Sequence, residues 1–566
     1  MAAKSVTDVP ASWDLEVDLV AVGSGLGAVA AAIAAHDLGL RAVILDKAPK
    51  LGGVCAYGGG EVFVPNNHKM QALGIEDSDE AGRAYFEFIA AGFADPVLQK
   101  KLLATMKPAV EYFEKQAGVP WNAIEGLPDY YFPEAPGSRG SARYLSAGLF
   151  EGAQLGPWQH RTFLTPHFPM GVEHRELYEW GGLAKVTTWN FELLGERIAK
   201  DFRAWGQGMM GWFLKAALVD RAIPAHTHTA VVGLVVEGDR VLGVRAEQEG
   251  RAFNVRARRG VVLATGGYDH NKKLATQFEQ STDWNSACQP YVTGDHFVLA
   301  GEVGAAIASV PPTNLAMFYG YSIPGEEHEG VPLYRSSWEC GCPHAIWVNR
   351  AGQRFCDESF YKDYQPHLRE WDGQHQTQPN VPPFLIFDQN YRDRYPLGSF
   401  MPGSPLPPEL VVQADTPREL ARKLGIDPDG LEKTLARFNE FARKGEDPDF
   451  GKGSRPWSVR LTGDPDYANP CVGPLDKAPY FGLRLVPVGV GINSHGLETN
   501  EFAQVMHLRG HAIAGLYAVG NSAALRDLGA GYQSGTANMR AITWGWVAGR
   551  HVAHAEREAL APDGRH

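Results

Sequence analysis

The amino-acid sequence predicts an α/β fold in which a second, α+β unit interrupts a parallel-sheet domain. Residues 17–47 read as a strand, a glycine turn, an alanine-rich helix and a second strand. Two further apolar runs enter glycine turns, at 260–268 and 515–521, and the stretch between them is richer in proline and aromatic residues. Strands that alternate with helices favour a parallel sheet. We therefore expect both ends of the chain to build one domain.

The predicted domain boundaries follow from this pattern. A chain of 566 residues is also longer than a single hydrophobic core usually supports. The first domain takes residues 1–275 and 477–566, with an aromatic-rich insertion at about 121–190, and the second unit takes 276–476. The second unit contains an amphipathic helix with apolar residues at 4-3-4 spacing, namely Leu431, Leu435, Phe438 and Ala442.

The first unit, at 17–47, has the pattern of a dinucleotide site. Gly23 makes the tight turn, Gly25 lets the backbone approach a pyrophosphate, and Ala28 is small enough for helix-on-strand packing. The helix N-terminus offers unpaired N–H groups to the phosphates. Asp46 stands where an acid usually accepts the ribose hydroxyls. The alternative is a glycine turn without a ligand. The predicted contacts here also include Ser24, Gly27 and Lys47.

A glycine-rich stretch follows at 51–60. Glycine has no Cβ, so the backbone can lie against a large flat ligand; a flexible loop is the alternative. The residues predicted to contact the cofactor in this stretch are Gly52, Gly53, Ala56, Tyr57, Gly58, Gly59 and Gly60.

Composition and charge exclude several classes of protein. The net formal charge is −12, which argues against a nucleic-acid partner. No apolar run approaches the ~20 residues that span a bilayer, and the N-terminus lacks the apolar segment of a signal peptide, so we expect a cytoplasmic protein without a membrane span. The stretch Cys340-Gly-Cys342-Pro-His344 has no second ligand pair, so we expect no metal site.

The insertion at about 121–190 is rich in aromatic side chains and prolines, including Tyr130, Tyr131 and Trp189. Such a segment suits either the wall of an apolar pocket or an irregular core. The sequence leaves both interpretations open.

Several stretches together resemble one family, the fumarate reductase/3-ketosteroid dehydrogenase flavoproteins. They are GSGLGA, LGGVCAYGGG, ATGGYD, TGDHFVLAGEVGA, WVNRAGQRFCDES, GIDPDGLEKTLARFNEFARKGEDPDFGKG and GLYAVGNSAALRDLGAGYQSG, in family order along nearly the whole chain. The resemblance implies a Rossmann-like FAD-binding domain of the GR2 type, interrupted by a catalytic cap, with the substrate bound between them. The further cofactor contacts that it implies are Val231, Ala264, Thr265, Gly266, Asp295, Gly520, Asn521, Gly535, Thr536 and Ala537. No histidine lies near Cys55, so we expect non-covalent FAD.

The departures from the fumarate reductases concern the substrate. The arginine that those enzymes carry shortly after the Glu of their G-x-R-F-x-N-E motif is absent after Glu358. Tyr361 resembles instead the base tyrosine of the Δ4 type of ketosteroid dehydrogenase, and Tyr532-Gln-Ser534-Gly535 resembles its carbonyl-binding tyrosine and serine. Tyr131 lies in a stretch that resembles the N-terminal tyrosine segment of Δ1 enzymes. The active-site motifs are thus closest to the Δ4 type.

These residues imply dehydrogenation next to a carbonyl. Tyr532, with Ser534 or an N–H near Gly535, would stabilise an enolate, and a tyrosinate-like Tyr361 would take the α-proton. Free tyrosine has a pKa of ~10, so Lys362 or Tyr131 would have to lower it. We expect a small hydrophobic cyclic ketone as substrate, a steroid or a smaller ring, and an external electron acceptor. The alternatives are a reductase of an enone or unsaturated acid and a non-catalytic electron-transfer subunit.

Overall fold

The computed structural model describes residues 9–167, 171–311 and 317–559. The parts of the predicted domain ranges that fall on residues 1–8, 168–170, 312–316 and 560–566 lie outside the described residues.

Helices and strands alternate along most of the chain. The helices are α1 (Leu26–Asp37), α2 (His68–Ala72), α3 (Asp79–Ala90), α4 (Pro96–Ala117), α5 (His174–Glu179), α6 (Phe191–Ala199), α7 (Trp205–Leu214), α8 (Lys272–Glu279), α9 (Asp295–Gly301), α10 (Tyr361–His367), α11 (Gln389–Arg394), α12 (Pro417–Leu424), α13 (Pro428–Ala442), α14 (Pro456–Thr462) and α15 (Thr536–Ala559). The strands are β1 (Leu15–Val22), β2 (Ala42–Leu45), β3 (Glu61–Phe63), β4 (Trp121–Ala123), β5 (Tyr144–Ala147), β6 (Phe150–Glu151), β7 (Phe202–Arg203), β8 (Ala225–His226), β9 (Thr229–Glu237), β10 (Arg240–Gln248), β11 (Arg251–Leu263), β12 (Asn285–Ser286), β13 (Ile307–Ser309), β14 (Met317–His328), β15 (Val331–Ser336), β16 (Ala345–Val348), β17 (Phe384–Asp388), β18 (Val412–Ala414), β19 (Tyr480–Arg484), β20 (Val486–Gly489), β21 (His495–Leu497), β22 (Gln504–Met506) and β23 (Ala512–Ala518).

The largest sheet joins both ends of the chain, as the glycine turns predict. Its strand order is β22-β23-β10-β11-β1-β2-β8, with β9 paired to β10. Strand β1 lies parallel to both β2 and β11, and β11 lies parallel to β23. The carboxyl ends of these parallel strands, where the glycine turns begin, therefore meet at one edge of the sheet.

Helix α1 packs on this sheet, and α15 packs against both α1 and strand β11. The two helices approach so closely that a Cβ at Gly545 would lie 2.5 Å from the carbonyl oxygen of Gly27. A Cβ at Gly549 would lie 2.4 Å from the carbonyl oxygen of Ala31. This close contact therefore requires the glycines of α15 and the alanines of α1. It also stabilises the strand–turn–helix unit that contains α1.

The cap is built from two four-stranded sheets. One has the order β16-β17-β19-β18 and packs on α12 and α13, whose apolar face is buried as the 4-3-4 spacing predicts. The other has the order β12-β20-β14-β15. Strands β19 and β20 pair with cap strands although they lie beyond the predicted boundary at residue 476. Strand pairing places them in the cap, and no local feature of residues 480–489 signals that partner.

Within the described ranges, no helix combines the length and the apolar character needed to cross a bilayer. The described residues also contain no group of three or more His, Cys, Asp or Glu side chains that could hold a metal ion. The thiols of Cys340 and Cys342 are buried and donate to backbone carbonyls. His344 contacts the carbonyl oxygen of Pro474 and the hydroxyl of Tyr467.

We expect Gly549→Ala to destabilise the protein by about 1–3 kcal/mol, because the methyl group must push α15 away from α1. Gly195→Ala is the matched control, since Gly195 is exposed in helix α6 and its Cβ would meet no atom within 4 Å. That substitution should be neutral or stabilising, because alanine favours a helix by up to ~1 kcal/mol over glycine. Urea unfolding of both variants measures the difference. An equal gain of stability in both would contradict the close contact.

Candidate active site

A cavity of about 600 Å³ lies at the carboxyl edge of the main sheet, and residues of the cap line its other side. Most of the predicted cofactor residues line it: Gly23, Ser24, Gly25, Gly27, Asp46, Lys47, Gly53, Tyr57, Gly58, Gly59, Val231, Ala264, Thr265, Gly266, Asp295, Gly520, Asn521, Gly535 and Ala537. Four of the predicted catalytic residues line the same cavity, namely Tyr361, Tyr532, Ser534 and Gly535.

The first glycine turn has the shape of a pyrophosphate cradle. Gly23 has a φ of +101°, and a Cβ there would lie 2.3 Å from the carbonyl oxygen of Ala264. At Gly25 a Cβ would meet no protein atom within 4 Å, because this position opens into the cavity. The hydroxyl of Ser24 donates to Asp46 at 2.6 Å and holds the acid beside the turn. The residues present therefore fit the diphosphate and ribose of a dinucleotide.

The remaining predicted cofactor residues do not line the cavity, and each has a structural reason. They are Ala28, Gly52, Ala56, Gly60 and Thr536. Ala28 is buried in the first turn of α1, and Ala56 is buried in the short helix Val54–Tyr57. A Cβ at Gly60 would lie 2.1 Å from the backbone of Trp205, and the Thr536 hydroxyl donates to the Gln533 carbonyl. The N–H of Gly52 donates to Ser24.

Three tyrosines from distant parts of the chain line the end of the cavity next to the cap. Tyr361 is the first residue of α10, Tyr130 lies in the loop after β4, and Tyr532 lies in the loop before α15. The hydroxyl oxygens of Tyr130 and Tyr361 are 2.6 Å apart. The Tyr361 ring also packs on Phe318 and Trp457, with centroid distances of 4.9 and 5.9 Å. Aromatic packing thus holds the pair at the cavity wall.

The structure does not bring Tyr131 to this cluster. Its ring packs against Phe88 and Phe360 and is not part of the cavity wall. Its neighbour Tyr130 takes the place beside Tyr361, because successive side chains in this turn point in different directions. The sequence shows adjacent tyrosines in one stretch but does not show which of them faces the cap.

Burial determines the charge of the cluster. Desolvation, reinforced by the neighbouring Tyr130 and Tyr532, raises the pKa of Tyr361 well above its usual value. Burial also lowers the pKa of Lys362 well below its usual value. The Lys362 amine lies 5.7 Å from the ring centroid of Tyr361 and 6.0 Å from that of Tyr532. The pKa of Tyr361 is thus raised, and Tyr131 contributes to the rise, which contradicts the expectation that Lys362 or Tyr131 lowers it.

A carboxylate that the sequence did not predict as a site residue lies next to the tyrosines. The hydroxyl of Ser534 donates to Oε1 of Glu61, and Oε2 of Glu61 lies 3.3 Å from Nδ1 of His174. Glu61 and His174 both line the cavity and are almost fully buried. Neither stands in a recognisable motif, so no sequence signal marked them. Because the Ser534 proton points at Glu61, it does not point at a substrate oxygen.

The rest of this cavity wall is largely apolar. Aromatic residues of the 121–190 segment take part in it, including Tyr144, Tyr178 and Trp189, which also belong to the core, whereas Trp121 belongs to the core and not to the wall. Both interpretations of that segment therefore hold for different residues. Arg335 is the one arginine among the described residues of the wall, and it pairs with Glu326. The arrangement suits a neutral ligand better than a dianion, which needs several available cations.

Comparisons with known proteins show the family to which this chain belongs. The family described as FAD binding domain matches residues 18–538. The 3-oxosteroid 1-dehydrogenase of Mycobacterium tuberculosis is 32% identical over 95% of this chain and 98% of its own length. The 4-oxocyclohexanecarboxylate 2-dehydrogenase of Sinomonas cyclohexanicum is 32% identical over 95% of this chain and 92% of its own.

A crystal structure has a similar fold over the same length. It is 3-ketosteroid Δ1-dehydrogenase from Sterolibacterium denitrificans in complex with 1,4-androstadiene-3,17-dione, with a TM-score of 0.86 and 29% identity over 95% of this chain and 100% of that one. The likeness of the active-site motifs to the Δ4 type stays a prediction.

We expect Gly25→Val to lose FAD, because its side chain would occupy the space of the pyrophosphate. Gly233→Val is the matched control, since a Cβ there also meets no atom within 4 Å but Gly233 lies in strand β9, outside the cavity wall. The ratio of flavin to protein absorbance after purification measures the loss. Equal flavin content in the two variants would contradict the cradle.

Acid precipitation of the wild type should leave the flavin in solution, and yellow denatured protein would disprove non-covalent binding.

Proposed function

Because the chain belongs to the FAD-binding family whose model matches residues 18–538, we propose that it dehydrogenates a cyclic ketone next to the carbonyl. The protein is an FAD-dependent oxidoreductase that acts on CH–CH groups. The proposal adds the substrate class, a 3-ketosteroid or a smaller cyclohexanone-type ring, and the roles of the tyrosines. The observation that carries it is the buried Tyr130–Tyr361–Tyr532 cluster on the wall of the cavity that contains the glycine cradle.

The chemistry requires an acidic α-hydrogen, which a ketone supplies because the resulting carbanion delocalises into an enolate. We assign Tyr532 the role of donor to that oxygen, together with a backbone N–H near Gly535. A well-placed donor in a site without water is worth roughly 3–4 kcal/mol in the transition state. Tyr532 is buried and uncharged, so it matches a neutral ketone that becomes negative only during the reaction.

We assign Tyr361 the role of the base that takes the α-proton. Its hydroxyl lies beside Tyr130, and its ring is held by Phe318 and Trp457. A bound FAD supplies the acceptor for the β-hydride, which is the cofactor's own chemistry. The aromatic wall excludes water from the reacting carbons, and this protects the enolate from protonation by solvent.

The alternatives are a reductase of an enone or unsaturated acid and an electron-transfer subunit. An unsaturated dicarboxylate requires a cluster of available cations, and the described wall offers Arg335 and Lys47, each of which is paired with a carboxylate. Anaerobic mixing with 4-androstene-3,17-dione and with 4-oxocyclohexanecarboxylate tests the proposal. A fall in flavin absorbance with either ketone supports it, and an unreactive flavin with every cyclic ketone overturns it.

We expect Tyr361→Phe to slow flavin reduction by ~10²-fold or more, because it removes the hydroxyl that takes the α-proton and keeps the ring. Ketone affinity should stay within a few-fold of the wild type. Tyr131→Phe is the matched control and should reduce normally, since that ring lies outside the cavity. Stopped-flow absorbance measures both rates. Near-normal reduction by Tyr361→Phe would assign the base to another group.

We expect Tyr532→Phe to lower kcat/KM for a cyclic ketone by roughly 10²-fold, because the enolate loses one hydrogen-bond donor. A phenol that mimics the enolate should also bind less tightly to this variant. Steady-state kinetics and a binding titration measure the two effects. Turnover of fumarate with reduced dyes by the wild type, without reaction with any cyclic ketone, would disprove the role of Tyr532.

A further inference from the structure

The cavity wall contains a second buried carboxylate, on the side formed by the cap. Glu339 follows strand β15, is only 9% exposed and lines the cavity. Among the described residues, no group donates a hydrogen bond to its Oε2. We propose that Glu339 recognises a hydroxyl group at the end of the substrate remote from the ketone. The proposal rests on the proposed function, because it concerns what else the cyclic ketone carries.

Glu339 is held in place through its other oxygen. Oε1 accepts the hydroxyl of Tyr321 at 2.5 Å and the backbone N–H of Gly398 at 3.1 Å. Burial and the charge of Glu339 raise the pKa of Tyr321 well above its usual value, so the phenol keeps its proton and donates it. A carboxylate has only acceptors. The group that completes the hydrogen bonding of Glu339 at Oε2 must therefore be a donor.

Two parts of the cap assemble this site. Tyr321 in strand β14 pairs directly with Arg335 in strand β15, so both side chains lie on one face of the hairpin. Gly398 lies in the loop after helix α11, where its φ is +53° and a Cβ would lie 3.0 Å from the Tyr321 hydroxyl. Arg392 fastens this loop by donating to four of its carbonyl oxygens, which are those of Tyr395, Phe400, Met401 and Ser404. Glu339 thus stands in a rigid frame.

The carboxylate lies at a distance from the reacting end of the cavity. The ring of Trp338, the neighbour of Glu339, has its centroid 4.9 Å from that of Phe318. The ring of Phe318 lies in turn 4.9 Å from that of Tyr361. Trp338 and Phe318 both line the cavity, so two aromatic rings stand along the wall between the carboxylate and the base. A fused-ring ketone is long enough to pass both, whereas a single cyclohexanone ring is not.

The surroundings of Glu339 favour a neutral donor. Arg335 also lines the cavity, but it is paired with Glu326. A substrate carboxylate beside Glu339 would meet a like charge, and a ketone oxygen would bring a second acceptor against Oε2. An ammonium group would be repelled by the guanidinium of Arg335. A hydroxyl supplies the required proton without adding a charge, so it fits this end of the cavity.

Two steroid ketones that differ at one atom group test the proposal. Testosterone carries a hydroxyl at carbon 17, where 4-androstene-3,17-dione carries a ketone, and the reacting rings are identical. We expect the FAD-loaded wild type to show a kcat/KM that is ~10-fold or more higher for testosterone, because the diketone leaves Oε2 without a donor. Steady-state kinetics with an artificial electron acceptor measure the ratio.

Glu339→Gln should abolish or reverse this preference. The amide oxygen can keep the bonds from Tyr321 and Gly398, and the amide nitrogen then presents a donor to the ligand, which suits a ketone. Glu327→Gln is the matched control, since it removes the same charge from an exposed residue of the same hairpin, outside the cavity wall. That variant should keep the preference of the wild type. Flavin content and the melting temperature show that both variants are folded.

Binding can also be measured without any reaction of the flavin. Estradiol and estrone have an aromatic first ring, which cannot be dehydrogenated, and they differ at carbon 17 as the two ketones do. We expect the wild type to bind estradiol ~10-fold or more tightly than estrone, as followed by the change in flavin absorbance on titration. The difference should disappear in Glu339→Gln.

Three results would overturn the role of Glu339. They are equal affinity of the wild type for estradiol and estrone, an unchanged preference in Glu339→Gln, and binding of neither steroid by a protein whose flavin is reduced by 4-oxocyclohexanecarboxylate. The first of these needs no variant. Failure of the proposed function gives a different result, because the flavin of the wild type would then be reduced by no ketone at all, whatever group stands at carbon 17.

Discussion

The contact between the turn at 532–536 and strand β3 is the constraint on which the site depends. The carbonyl oxygen of Gly535 accepts the N–H of Phe63 at 3.3 Å, and Asn538 donates to the backbone of Glu61. This turn carries Tyr532, begins the helix that packs on α1, and adjoins the glycine-rich cradle. This one contact therefore sets the positions of Tyr532, of the buried carboxylate and of the cofactor cavity together.

Desolvation gives this arrangement its chemical character. In water at neutral pH, a lysine is charged and a tyrosine is a neutral phenol, because their pKa values are ~10.4 and ~10. In the interior, the charged forms of both are disfavoured, so burial raises the pKa of Tyr361 and lowers that of Lys362, and the Glu61 carboxylate lies 3.3 Å from His174. A largely apolar wall of this kind discriminates against dianions and allows negative charge to develop only where donors are already in place.

Much of the cofactor half of the site was predictable, because its signals are local. Gly23, Gly25 and Asp46 lie within one strand–turn–helix–strand unit, and a positive φ or a close approach to a ligand requires glycine at fixed spacing. The boundary of the cap was harder to predict from the sequence. Strands β19 and β20 differ from their neighbours only in their pairing partners, and a partner distant in sequence leaves no local signature.

The sequence by itself determined the α/β class, the dinucleotide cradle and the tyrosine-bearing motifs, since each of these depends on residue types at short spacing. Only the tertiary structure decided which tyrosine lies beside Tyr361, and it is Tyr130 and not Tyr131. It also placed Glu61 and His174 behind Ser534, and it set the charge of Tyr361 through burial. The physical reason is that side-chain direction, desolvation and long-range contacts are properties of the packed chain, and no short segment of sequence contains them.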